Sequence, residues 1–189
     1  MTKFAAIIPA RYASTRFPGK PLALLGGKPI IKWVYDAVAS VIADTFVATD
    51  DRRIYDAITS QGGKAVMTPE CCSGTDRVAV ATEILNGDWD VIVNIQGDEP
   101  FIQPSHINSL CSCFDDADTQ IATLCHRFTN MDEVRDANTP KVVTDNNDYA
   151  LYFSRSIIPF VRDAEGEEWI KQFPYMKHMG VYAYRKKVL

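Results

Sequence analysis

Apolar positions along this chain change rhythm repeatedly, and the changes mark its elements. Residues 4–8 (FAAII) form a short unbroken apolar run closed by Pro9, the pattern of a buried strand that enters a loop. Over residues 29–43 the apolar side chains Ile30, Ile31, Val34, Ala37, Val38 and Val41 fall at helical spacing, with proline in the first turn. A strand over 46–49 (FVAT) follows. Asp50 or Asp51 then caps a helix running to about residue 60, which Gly62-Gly63 stops. The pattern continues with a strand over 64–67, a helix opened by Ser73-Gly74-Thr75-Asp76 and ending near Leu85, and residues 90–95 (DVIVNI). That last segment is the strongest strand signal, apolar enough for the middle of a parallel sheet. A helix over 104–114 and a strand over 120–125 complete an alternation that predicts an α/β fold with a doubly wound, mostly parallel sheet.

The rhythm differs after about residue 138. Residues 140–144 (PKVVT), the turn-rich Asp145-Asn146-Asn147-Asp148 and residues 149–154 (YALYFS) predict a β-hairpin. A charged stretch over 162–171 precedes a last strand over 179–184 (MGVYAY). The second half reads as an extension of one mixed sheet, with no hard domain boundary.

Composition narrows the function classes. The chain has 189 residues, 47% hydrophobic and 23% charged, as in an ordinary globular protein. No apolar run approaches the roughly eighteen residues a membrane span needs, and the N-terminal segment lacks the form of a secretory signal. The five cysteines, Cys71, Cys72, Cys111, Cys113 and Cys125, are odd in number and contain no Cys-x-x-Cys. This argues for reduced, mostly buried thiols rather than a disulfide framework or a zinc site. Net charge is −4, which disfavours nucleic acid as a partner.

The distribution of that charge is more telling than its sum. Six of the twenty Lys and Arg residues precede Asp36, the first acid. Three of them, Arg11, Arg16 and Lys20, lie in the loop after the first strand, PARYASTRFPGK. In an open α/β sheet ligands bind beyond the carboxyl ends of the strands. Neither Gly-x-Gly-x-x-Gly nor a Walker A sequence occurs, so this loop must meet an anion with side chains. The two arginines offer planar forks for phosphate oxygens and Lys20 a mobile point charge. Pro18 and Pro21 stiffen the loop and lower its ordering cost.

The spacing Pro-Ala-Arg-x-x-Ser-x-Arg-x-Pro-x-Lys resembles the activating loop of sugar nucleotidyltransferases. Within that class the chain is similar to the acid-sugar cytidylyltransferases, those acting on 3-deoxy-manno-octulosonate (Kdo) above all. VATDD (47–51), GGKAVMT (62–68), SGTDR (73–77), VIVNIQGDEP (91–100), KVV (141–143), YALYFSRSIIP (149–159) and HMGVYAYR (178–185) match in order. The resemblance implies a nucleotide-diphospho-sugar transferase-like sheet with a β-hairpin extension. It also implies one nucleotidyltransferase domain over 1–189 that stops short of where relatives continue.

The implied chemistry is Mg²⁺-dependent transfer of CMP from CTP to Kdo in lipopolysaccharide biosynthesis, by a cytoplasmic homodimer. Arg11, Arg16 and Lys20 would contact the triphosphate. Asp98, just past a strand at the sheet's carboxyl edge, would bind Mg²⁺, with Glu99 as the neighbouring alternative; a turn cap is its plainer reading. Ser73, Gly74 and Arg77 would hold cytosine and ribose at a helix start, where plain N-capping by Ser73 or Thr75 is compatible with binding. The acceptor's carboxylate needs a separate cationic site, for which Arg155 and Lys177-His178 are candidates. The resemblance assigns Gln96, Arg155 and His178 to the sugar acid, with Tyr182 nearby. Lys177 stands where relatives commonly carry arginine. His106 and His126 read as structural. Other readings are a cytidylyltransferase for 8-amino-Kdo or a sialic acid, and a non-catalytic nucleotide-binding module.

Overall fold

The computed structural model describes residues 1–13 and 17–189, and its contacts divide the chain into two compact units. Met1–Ala122 with Val181–Leu189 forms the first, and Thr123–Gly180 the second.

In the first unit, strands β1 (Phe4–Ala10), β4 (Thr45–Thr49), β5 (Ala65–Met67) and β6 (Val91–Asn94) lie parallel in the order β5–β4–β1–β6. The C-terminal part of β10 (Met176–Arg185) runs antiparallel along β6, with Tyr182 opposite Asn94. Helices α1 (Ile30–Ala39), α2 (Arg52–Thr59), α3 (Gly74–Leu85) and α4 (Pro104–Ser112) connect the strands. Successive strand residues face opposite ways. Ala5 and Ile7 of β1 join Ala48, Ile92 and the α3 residues Val78 and Ala81 in one core cluster. Ala6 and Ile8 face the other side and are also fully buried, so both faces of the sheet are covered. The doubly wound mixed sheet expected from the sequence is therefore present. Its strand order reverses direction of growth between β1 and β6, which opens a crevice at the carboxyl ends of those two strands.

The sequence signals place most ends within a few residues. Ser73 accepts from the Asp76 amide at 3.0 Å and caps α3, and Asp51, not Asp50, caps α2 by accepting from the Arg53 amide at 2.9 Å. Helix α1 stops at Ala39, short of the apolar Val41, and the helix expected over 104–114 closes as a one-turn 3₁₀ segment, Cys113–Asp115. A two-residue ribbon, β2 (Leu24–Leu25) with β3 (Lys28–Pro29), was not expected.

The second unit contains most of β7 (Ile121–Arg127), which pairs with β10, and the antiparallel hairpin of β8 (Lys141–Thr144) and β9 (Ala150–Ser154). Its turn is organised by the Asp145 carboxylate, which accepts from the amides of Asn147 and Tyr149. Met176 and Lys177 of β10 pair with Val142 and Lys141, so the last strand begins three residues before the apolar run suggested. The short helices α5 (Met131–Arg135) and α6 (Trp169–Gln172) frame a small core of Phe128, Met131, Val134 and Tyr175. None of the five cysteines is fully buried: Cys72 and Cys125 are exposed and the other three half-buried. The expectation of mostly buried thiols is thus corrected: Cys71 and Cys72 lie in the loop before α3, Cys111 and Cys113 at the end of α4, and Cys125 within β7, where neighbours cover at most part of each sulfur.

Candidate active site

Two adjacent cavities occupy the crevice between the ends of β1 and β6. One, of about 170 Å³, is lined by Arg11, Cys71, Cys72, Ser73, Gly74 and Arg77. The other, of about 180 Å³, is lined by Arg11, Lys20, Gly97 and Asp98. Pro9, Ala10, Arg11 and Gln96 belong to both. Seven of the sequence-selected residues, Arg11, Lys20, Ser73, Gly74, Arg77, Gln96 and Asp98, therefore converge on one place. Arg16 lies outside the described residues.

The loop after β1 is shaped by Tyr12. Its carbonyl accepts from the Gly19 amide at 2.8 Å, and its ring lies 3.3 Å under the Arg53 guanidinium. Gly19 has φ +71, and a Cβ there would stand 3.0 Å from the same ring, so glycine is required. A one-turn 3₁₀ helix at Lys20–Leu22 then aims the Lys20 ammonium at Asp98, Nζ to Oδ2 2.7 Å. On the opposite lip, Gly97 lets the chain pass closely: a Cβ would approach the Pro9 carbonyl to 3.0 Å and Ile31 Cδ1 to 2.9 Å. That close passage sets Asp98 beside the cationic loop.

Arg77 is held more tightly. Only 3% exposed, it donates from Nη1 to Thr68 Oγ1 at 2.8 Å and from Nη2 to Asp50 Oδ2 at 2.6 Å. The guanidinium is thereby fixed in the cavity wall below the first turn of α3. Asp50 and Thr68 follow the ends of β4 and β5; the sequence offers Asp50 only as a possible helix cap and gives Thr68 no role, although an acid directly after a strand end is the available signal. Gln96 donates to Asn94 Oδ1 at 3.2 Å, and its amide lies beside Gly74, where an added Cβ would stand 3.4 Å from Gln96 Oε1. Tyr182 stacks on Tyr184 with centroids 6.0 Å apart, and burial pushes both phenols up.

Arg155 and His178 lie in the second unit, both against the 136–141 turn. Arg155 Nη1 donates to the carbonyls of Ala137 and Asn138 at 3.0 and 3.3 Å, and the His178 amide donates to the Pro140 carbonyl at 3.0 Å. His178 Nε2 stands 3.0 Å from Thr123 Oγ1, and the Phe153 ring meets the imidazole edge-on. Burial lowers the His178 pKa, so the ring is neutral at pH 7. Lys177 pairs with Glu133 at 3.3 Å. The His106 ring accepts from the Gln103 amide at 3.3 Å within the α4 cap.

Oxygen donors at this crevice suit a hard cation. Asp98 presents a half-exposed carboxylate beside Glu99, and no group of three or more His, Cys, Asp or Glu forms a metal cage among the described residues. A lone carboxylate fits Mg²⁺, which keeps several waters and shares phosphate oxygens.

Comparison with known proteins shows the family to which the chain belongs. A family model described as cytidylyltransferase matches residues 5–189. A 3-deoxy-manno-octulosonate cytidylyltransferase of Bacteroides thetaiotaomicron is 58% identical over 99% of this chain and 76% of its own length. An 8-amino-3,8-dideoxy-manno-octulosonate cytidylyltransferase of Shewanella baltica is 48% identical over 96% of this chain and 74% of its own length. Among solved structures, a CMP:2-keto-3-deoxy-manno-octonic acid synthetase complexed with CTP superposes with a TM-score of 0.90 at 42% identity, covering 99% of this chain and 76% of that one.

Proposed function

The chain belongs to the cytidylyltransferase family, and from that premise we infer that it transfers CMP from CTP to 3-deoxy-D-manno-octulosonate, releasing pyrophosphate. The product is an activated sugar acid for lipopolysaccharide assembly. The observation that carries the reading is the meeting of Lys20 and Asp98 at the end of the crevice that Arg11 lines.

In this reading the anomeric oxygen of the acceptor attacks the α-phosphorus, the bond to the β-phosphate breaks, and the hydroxyl proton passes to solvent. Negative charge grows on the leaving pyrophosphate, where Arg11 and Lys20 neutralise it, joined by Arg16 of the same loop. The exposed Lys20–Asp98 pair contributes under about 1 kcal/mol, so phosphate oxygens replace Asp98 on Lys20 at little cost. The freed Asp98 carboxylate would hold Mg²⁺, which supplies Lewis-acid charge neutralisation at the reacting phosphate when bound. Ser73, Gly74 and the fixed Arg77 take the nucleoside. Arginine donates only, which suits the acceptor atoms O2 and N3 of cytosine and opposes the N3–H of uracil. For the sugar acid, Gln96 and Tyr182 are the polar candidates of the first unit, and Arg155 and His178 are those of the second.

A homodimer accompanies this reading. Strand β9 leaves Leu151, Tyr152 and Phe153 at 65%, 64% and 43% exposure on consecutive positions, an apolar edge that a second copy would cover. Because CTP is a cytoplasmic metabolite, the reading carries a cytoplasmic location. No helix among the described residues is long and apolar enough to cross a membrane.

The test is pyrophosphate release in CTP and Mg²⁺ with Kdo, 8-amino-Kdo and a sialic acid as alternative acceptors. Release with Kdo at the highest kcat/KM supports the assignment, preference for 8-amino-Kdo moves it to the substrate named for the Shewanella relative, and no release with any acceptor refutes it.

A further inference from the structure

The cavity that Arg11 and Arg77 line also carries two thiols in its wall, those of Cys71 and Cys72. They directly precede Ser73, the N-cap of α3. Cys72 is exposed, whereas Cys71 is half-buried and donates its S–H to the Pro69 carbonyl at 3.3 Å. The other three thiols are poor nucleophiles by position. Burial pushes Cys111 up to about 11 and Cys113 upward as well, and burial together with the Asp148 carboxylate raises Cys125. The attacking species in disulfide exchange is the thiolate, so each of these shifts slows its own residue.

We propose that Cys72 is a thiol–disulfide exchange site whose occupant shuts the nucleotide out of this cavity, the co-reactant being a small anionic disulfide of the glutathione type. The inference rests on reading the cavity as the nucleoside site. The Cys72 sulfur attacks one sulfur of the reagent, the reagent's S–S bond breaks, and a mixed disulfide forms. The other half leaves as a thiolate and takes up the proton that Cys72 gave up. Arg11 on the same cavity attracts the reagent's carboxylates, whereas the buried Arg77 is already paired with Asp50. A peptide-sized substituent on Cys72 then fills a space of about 170 Å³ that has no room for a nucleobase as well.

The experiment treats the full chain with glutathione disulfide, maps adducts by peptide mass spectrometry, and titrates CTP·Mg²⁺ by calorimetry before and after. Adduct is expected at Cys72, and CTP at about ten times its Kd slows that adduct roughly tenfold by mass action. The adduct at Cys125 forms at the same rate with and without CTP. The modified chain binds CTP at least about tenfold more weakly, and dithiothreitol restores it. In Cys72→Ser the reagent leaves that variant's own CTP affinity unchanged, and Cys71→Ser retains the Cys72 adduct. The proposal is overturned if no adduct maps to Cys72, if calorimetrically bound CTP fails to slow it, or if the adduct leaves CTP affinity intact. Failure of the untreated chain to bind CTP is a separate result, seen in the first titration, and removes the nucleotide reading together with the competition built on it.

Discussion

The Lys20 ammonium lies 2.7 Å from the Asp98 carboxylate, although 78 residues separate them in the chain. One stands on the loop after β1 and the other just beyond β6, neighbouring parallel strands at the point where the strand order reverses. The two side chains are 40% and 48% exposed, so their attraction stabilises the fold little. Their proximity is instead a feature of the crevice.

Separating stability from activity follows from that exposure. Lys20→Ala and Asp98→Asn are each expected to shift unfolding free energy by less than about 1 kcal/mol. Each is expected to lower turnover by on the order of 10²–10³ through loss of one preorganised charge. Denaturant titration and pyrophosphate release check the two halves. Near-normal rates would remove these residues from the chemistry.

Asp50 behaves oppositely. It pairs with an Arg77 side chain that is only 4% exposed, so Asp50→Ala leaves a buried cation without its counter-charge. A loss of about 3 kcal/mol is expected, at the low end for a broken buried pair because Asp50 is itself partly exposed. Urea unfolding measures it, and a change below about 1 kcal/mol would mean that water already solvates the guanidinium.

His178 sets a pH dependence. Burial depresses its pKa in the folded chain below the ordinary value of 6.5. Between the folded value and 6.5 the unfolded chain holds a proton that the folded chain does not. Unfolding therefore takes up a proton in that window, and stability falls as pH drops through it. His178→Gln is expected to flatten this slope in urea midpoints measured downward from pH 7, and an unchanged slope would contradict it.

Much of this was legible in the sequence because its carriers are local. The DVIVNI run, the caps at Ser73 and Asp51, and the cationic loop each depend on neighbours a few residues away. The grip on Arg77 was not legible, since Asp50, Thr68 and Arg77 arrive from the ends of two strands and a helix and meet only in three dimensions. The ribbon at β2 and β3 is too short to show a period. Helix α5 did have a signal that went unused: Asn130 and Glu133 bond reciprocally, side chain to amide and side chain to side chain, as an Asn-x-x-Glu start allows. The placement of Cys72 depends on the crevice itself, which spacing between cysteines does not encode.

The β9 edge makes an oligomerisation test direct. Leu151→Asp puts a charge among exposed apolar neighbours on the hairpin. Light scattering is expected to show a dimer for the parent chain and a monomer for the variant, each with the same circular dichroism. A monomeric parent would remove the homodimer.

A structure of the chain with CTP and Mg²⁺ bound tests the central claim most directly. The account predicts triphosphate oxygens within hydrogen-bond distance of Arg11 and Lys20, metal on Asp98 in place of the Lys20 ammonium, and the base between Ser73 and Arg77. A triphosphate bound away from the crevice, with the Lys20–Asp98 pair still closed, would contradict it.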